Sequence, residues 1–207
     1  MTRAAFEHFS LSFVDFLRLD CMAPADLRRS VRVEGEAHLR AAMASGRGVV
    51  VLSAHLGNWE WGAAFLGALG VPIHLAARPH GRGVEPFFQE RRRVFGVDSL
   101  EPTALFSSVS GALRAGEWVA LMGDRGADAK HGGSVCGWAA ALAQRTRSLI
   151  LPAAMVRNEQ GGHTLMVGPP LEPAEVRCGA HRELMGRWLR SNASQWAAFE
   201  PLPEGLT

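Results

Sequence analysis

The 207-residue chain contains no tyrosine, three cysteines and a single lysine, Lys130. All the remaining basic residues are arginine. Cys21, Cys136 and Cys178 are odd in number and widely spaced. That pattern fits neither a disulfide framework nor a metal knuckle, and it suits a reducing compartment. No His-Glu-x-x-His and no paired His/Cys ligand spacing occurs, so no metal is expected. The longest uncharged run, residues 61–77, is broken by Gly70-Val71-Pro72 and is a poor membrane span. Glu7 and Asp15 interrupt the amino-terminal apolar pattern, which argues against a signal peptide. Repeats, low-complexity segments and long linkers are lacking. A net charge of +2 is too small to imply a partner, and the arginine excess, with much Ala and Gly, reads mainly as compositional bias. Nucleic acid is not an expected partner.

What is present is a hydrophobic content of 47% in one length suited to a single domain with a substantial core. The organising stretch runs from Val49 to Trp61. A β-branched apolar run, Val49 to Ser53, is followed by Ala54-His55-Leu56-Gly57-Asn58 and then by a helical pattern from Trp59 to Leu69. Strand, turn and helix in that order put His55 at the carboxyl end of a strand, where open parallel sheets place their ligands. His55 and Glu60 are five apart. A carboxylate in the first helical turn can fold back to hold one imidazole nitrogen and leave the other as a general base. Taken alone the pair is weak, because a histidine is more often a bystander than a base.

From residue 48 onward strand and helix patterns alternate. Ile73 to Ala77, Trp118 to Met122, Leu149 to Arg157 and His163 to Val167 read as strands, the last two as a hairpin. Helices are expected over 34–45, 84–95, 103–115, 139–147 and 180–192. Pro152 inside a strand suggests an edge or a bulge. The fold class is therefore α/β, a single domain over 1–207 with a mostly parallel sheet flanked by helices. Residues 1–47 form its helical amino-terminal part and 48–207 its catalytic core. Three strands deliver polar residues past their last apolar position: His55, Arg78, and Asp124 with Arg125. His55, Arg78 and Asp124 are expected to line one crevice.

Two further features bear on partners. Phe6, Phe9, Phe13, Phe16 and Leu17 fall at helical spacing in an amphipathic helix over 3–19. A core-facing stripe is the favoured reading, an interfacial helix dipping into lipid the alternative. Between Arg78 and Arg93 five arginines face only Glu85 and Glu90, an excess that attracts anionic headgroups or a phosphopantetheine arm. Arg91-Arg92-Arg93 is the expected contact face.

The string His55-Leu56-Gly57-Asn58-Trp59-Glu60 resembles the His-x4-Glu/Asp box of bacterial late lipid A acyltransferases, within the lysophospholipid acyltransferase superfamily. The resemblance continues through Arg78, Gly123-Asp124-Arg125 and the closing Gln195-Trp196. It implies transfer of a fatty acyl chain from an acyl carrier protein or coenzyme A thioester to a lipid hydroxyl, with no other cofactor. His55 and Glu60 would be catalytic. Asn58, Arg78, Asp124 and Arg125 would bind substrate, with Arg78 on phosphate and backbone amides near Gly57 and Asn58 as oxyanion donors. The place implied is the membrane surface on the cytoplasmic face of the bacterial inner membrane. The segment after Asp124 is shorter than the family pattern. A hydrolase on the same fold and a noncatalytic lipid- or partner-binding homologue are the rival readings.

Overall fold

A computed structural model describes residues 3–76, 83–100, 105–124 and 135–197. In chain order the elements are α1 (Arg3–Arg18), α2 (Pro24–Ser30), β1 (Val31–Glu34), α3 (Glu36–Ala44), β2 (Val49–Ser53), α4 (Trp59–Ala68), β3 (Ile73–Ala76) and α5 (Glu85–Arg93). There follow β4 (Val97–Leu100), α6 (Leu105–Arg114), β5 (Trp118–Met122), α7 (Val135–Thr146), β6 (Leu149–Arg157), β7 (His163–Val167), α8 (Pro173–Arg177) and α9 (Ala180–Ser191). The seven strands form one sheet in the order β1-β7-β6-β2-β5-β3-β4. Neighbours pair in parallel except β6 with β7, which run antiparallel as the Gly161-Gly162 turn predicts.

β2 is buried at every position, so its side chains divide between two apolar layers. Val49 and Val51 join Phe16, Leu27, Trp61, Phe65 and Phe95 on the face covered by α1 to α5. Val50 and Leu52 join Val109, Leu113, Ala139, Leu142, Met185 and Leu189 on the face covered by α6, α7 and α9. The chain leaves β2 through α4 toward β3 on one face, and leaves β5 through α7 toward β6 on the other. The adjacent carboxyl ends of β2 and β5 are therefore the topological switch point, the position where open sheets of this class bind their ligands.

Several sequence expectations are corrected. Residues 1–47 are not wholly helical, because Val31–Glu34 adds an edge strand beside β7. Val97–Leu100 forms the opposite edge, and both are four-residue stretches too short to stand out by periodicity. α7 begins at Val135, four residues before the expected Ala139. Pro152 lies in an interior strand. It is tolerated where β6 changes partners: the ladder with β2 ends at Leu52↔Pro152, and the one with β7 begins at Ala153↔Val167. Its carbonyl still accepts from the Gly168 N–H at 2.9 Å.

The largest departure is α1. Phe16 is buried, but Phe6, Phe9, Leu11, Phe13, Val14 and Leu17 are 37–60% exposed. Core packing and lipid contact require the same helical spacing, so periodicity could not separate them. What orients the helix is polar. Asp15, itself buried, pairs with Arg157 at the end of β6 and lies 3.2 Å from His163 Nε2. That tether turns one narrow arc of α1 inward and leaves the aromatic row outside.

Candidate active site

β2 and β5 run in register up to Ser53↔Met122, and Gly123 N–H donates to the Ser53 carbonyl at 2.7 Å. His55 and Asp124 each come two residues later. Equal overshoot on adjacent parallel strands places them side by side, with His55 Nδ1 2.9 Å from Asp124 Oδ1. The other carboxylate oxygen accepts the His55 backbone N–H at 3.0 Å and the Trp196 indole N–H at 2.7 Å. Asp124 is 1% exposed. Burial by itself would raise its pKa, but the bonds from His55 and Trp196 outweigh it and hold the carboxyl below its ordinary value. In the neutral ring an ionised carboxylate at Nδ1 holds the proton on that nitrogen and leaves Nε2 with its lone pair. The ring is 21% exposed and meets Trp59 edge-on at 5.2 Å between centroids.

Glu60 does not hold His55. It is the second residue of α4, and its side chain turns toward α5, where both oxygens are taken by the Arg92 fork. Nε donates to Oε2 at 2.9 Å and Nη2 to Oε1 at 2.5 Å, with both partners buried. Arg92 Nη1 also reaches Ser99 Oγ at 2.8 Å. The expected Arg91-Arg92-Arg93 contact face is thereby broken up. Arg92 is inside, Arg91 sits 3.7 Å over the Phe87 ring and 3.1 Å from Asp20, and Arg93 alone is exposed.

Asn58 is the cap of α4. Its Oδ1 accepts from Trp61 N–H at 3.1 Å and its Nδ2 donates to the Ser12 carbonyl on α1 at 3.2 Å. Its backbone N–H is bound to Met155 O at 2.8 Å, and that of Gly57 to Gln195 O at 2.9 Å. The two amides expected to serve an oxyanion are therefore already engaged, because the turn after β2 continues to pair with its neighbours. Gly57 has φ +64°, and a Cβ there would lie 2.0 Å from Met155 O, so the turn admits only glycine. Arg78 and Arg125 lie outside the described residues.

The structure brings in two residues that sequence reasoning left without a role, Trp59 beside the ring and Trp196 on the carboxylate. The signal for the His55 and Asp124 contact was available as equal overshoot past paired strands. The signal for Trp196 was not, since 72 residues separate it from Asp124. A narrow apolar slot with about 30 Å³ of free space runs from Trp59 between α4 and the sheet, past Gly62, Leu66, Ile73, Leu75 and Met155. A larger open depression around Arg47, Arg147 and Glu172 lies at the amino ends of β2 and β6, the wrong end of the strands for this chemistry. Cys136 packs under Gly123, and burial pushes its thiol up to about 11, so it is no thiolate nucleophile at neutral pH. Among the described residues no group of metal-ligating side chains comes together, and no helix is long and apolar enough to cross a membrane.

The family model described as bacterial lipid A biosynthesis acyltransferase matches residues 1–201. The chain belongs to that family. No individual curated protein matches it significantly. Membership in this acyltransferase family implies an acyl donor and a lipid acceptor, and it accords with the single α/β domain and its mostly parallel sheet.

Proposed function

We propose that this lipid A acyltransferase family member moves a fatty acyl chain from the thioester of an acyl carrier protein or coenzyme A to a hydroxyl of a lipid or glycolipid. The observation that carries the reading is the buried Asp124 carboxylate on His55 Nδ1 at the switch point of the sheet. His55 Nε2 takes the acceptor hydroxyl proton while the oxygen attacks the thioester carbonyl. The tetrahedral intermediate collapses with loss of the C–S bond, and the imidazolium returns the proton to the leaving thiolate. Asp124 stays ionised and stabilises the imidazolium. Glu60, bound to Arg92, braces α4 against α5 beside the site. Arg78 and Arg125 follow β3 and β5 in the sequence and are the proposed phosphate contacts. The slot beneath Trp59 is apolar and is the proposed entry for the acyl chain, which has to widen it beyond its about 30 Å³.

The deciding measurement is lipid mass spectrometry on cells carrying the wild-type protein or His55→Ala. A lipid that gains one acyl chain only with the wild type supports transfer. Free fatty acid in its place favours the hydrolase, and no difference favours a noncatalytic homologue.

The exposed aromatic row of α1 is proposed to rest on the membrane surface, which for this family reading is the cytoplasmic face of the inner membrane. Asn58 ties α1 directly to the turn that carries His55, so lipid held there is delivered close to the base. Replacing Phe6, Phe9 and Phe13 together by Ser should weaken partitioning onto phospholipid vesicles by about a hundredfold, since each of the three partly buried rings contributes on the order of 1 kcal/mol. Unaltered partitioning in a sedimentation assay would remove α1 from the membrane contact.

A further inference from the structure

We infer that the carboxyl-terminal strap, residues 193–197, is part of the catalytic apparatus, and that Trp196 is a positioning residue that sets the orientation of the Asp124 carboxylate against His55. The strap follows α9, crosses to the turn after β2 and pairs with it. Gly57 N–H donates to Gln195 O at 2.9 Å, Ala197 N–H donates to His55 O at 2.8 Å, and Leu56 and Trp196 form an antiparallel bridge. The same segment thus binds the backbone on either side of Leu56, at the carbonyl of the catalytic histidine itself and at the Gly57 N–H. Its indole N–H then reaches the Asp124 oxygen that also holds the His55 amide.

The physical role follows from the geometry of the carboxylate. A carboxylate on a strand end can rotate about its side-chain bonds. With Oδ2 held by two donors from different segments, rotation is blocked and Oδ1 is left pointing at Nδ1. Fixing the acceptor at Nδ1 fixes the tautomer, and therefore the identity of the nitrogen that faces the crevice. The bond from Trp196 also stabilises the ionised carboxyl, in the same sense as those from His55. Gln195 holds the strap itself: its Oε1 accepts Arg157 N–H at 2.8 Å and its Nε2 donates to Arg157 O at 2.8 Å. This clamps the strap to the end of β6, the strand that also receives the Asn58 amide. No local pattern around residue 196 announces such a role, because the indole acts on a residue contributed by a distant strand.

The inference rests on the acyl-transfer reading for what the open nitrogen does, but its test needs no substrate. The full chain, with ring-labelled histidine, is studied by long-range proton–nitrogen NMR above the titration of the ring, and His55→Ala identifies the His55 signals. In the wild type the Nδ1–H tautomer of His55 should dominate. Trp196→Phe keeps an aromatic ring and removes the donor, and should lower the ratio of Nδ1–H to Nε2–H tautomers by about threefold or more, toward the mixture of a free imidazole. Gln195→Ala, which loosens the strap but keeps the indole, should move the ratio the same way by less. A folded Trp196→Phe protein with the wild-type ratio would overturn the inference, as would an unmoved ratio in Gln195→Ala if Trp196→Phe fails to fold. The outcomes separate cleanly from the functional reading. A shifted ratio in a protein that transfers no acyl chain sinks only acyl transfer, and an active enzyme with an unshifted ratio sinks only the positioning role.

Discussion

His55→Ala is expected to lower kcat/KM by about 10²- to 10⁴-fold, on the order of 3 to 5 kcal/mol of transition-state stabilisation, the range typical of a lost general base. Asp124→Asn should fall within about tenfold of that loss. An amide at this position removes the charge that stabilises the imidazolium, and its NH2 can face Nδ1 and force the opposite tautomer. The double variant should be no worse than His55→Ala alone, because groups that act as a unit are not additive. Glu60→Gln, by contrast, should couple only weakly to His55, since both Glu60 oxygens bind Arg92. The experiment is a kinetic double-mutant cycle run once with each carboxylate. Strong coupling of His55 to Glu60 and additivity with Asp124 would reverse the assignment, and a fully active His55→Ala would end the base mechanism altogether.

The second large effect concerns the fold around the site. Glu60→Ala leaves the Arg92 guanidinium buried, with Ser99 and the more distant Glu85 as its polar neighbours among the described residues. Breaking a buried ion pair from one side typically costs about 3 to 5 kcal/mol, more than the intact pair contributes relative to apolar residues. For a chain of this size that should lower Tm by roughly 10 °C. Glu60→Ala combined with Arg92→Met should recover much of the loss, because the buried guanidinium is then gone and Glu85 keeps its bond from Gln89. Thermal or urea unfolding of the two single variants and the double variant tests this. Equal losses that simply add would mean that the pair is solvated in solution and does not brace α4 against α5.

These two predictions mark where sequence reading and tertiary structure part. The strand from Val49 to Ser53, the turn with His55 and the helix from Trp59 were legible because each rests on local chemistry: β-branched burial, a glycine at positive φ, an Asn cap. The parallel sheet followed from alternation of such units, and the carboxyl-end crevice from the handedness and connectivity that parallel sheets impose. A five-residue spacing said that His55 and Glu60 were near one another. It could not say which way a side chain on the first turn of a helix would point. That was decided by Arg92, which lies 32 residues further on and offers a planar fork in a dry interior. The exposed aromatic row of α1 was hidden for a similar reason, since one periodicity serves both core and lipid, and only tertiary contacts, the tether of Asp15 to Arg157, the bond from Asn58 to Ser12 and the buried Phe16, show which face turns in.

What the sequence by itself determined is the set of local units, their order and the identity of the strand ends that carry chemistry. What only the tertiary structure decided is which of those ends are neighbours. His55 meets Asp124 because β5 inserts beside β2, with the register that Ser53↔Met122 defines, and Trp196 meets Asp124 because the chain after α9 returns to the turn that follows β2. Contacts across 69 and 72 residues have no periodicity to announce them. They are set by how seven strands sort themselves to bury two apolar faces at once, a property of the whole sheet that no single segment encodes.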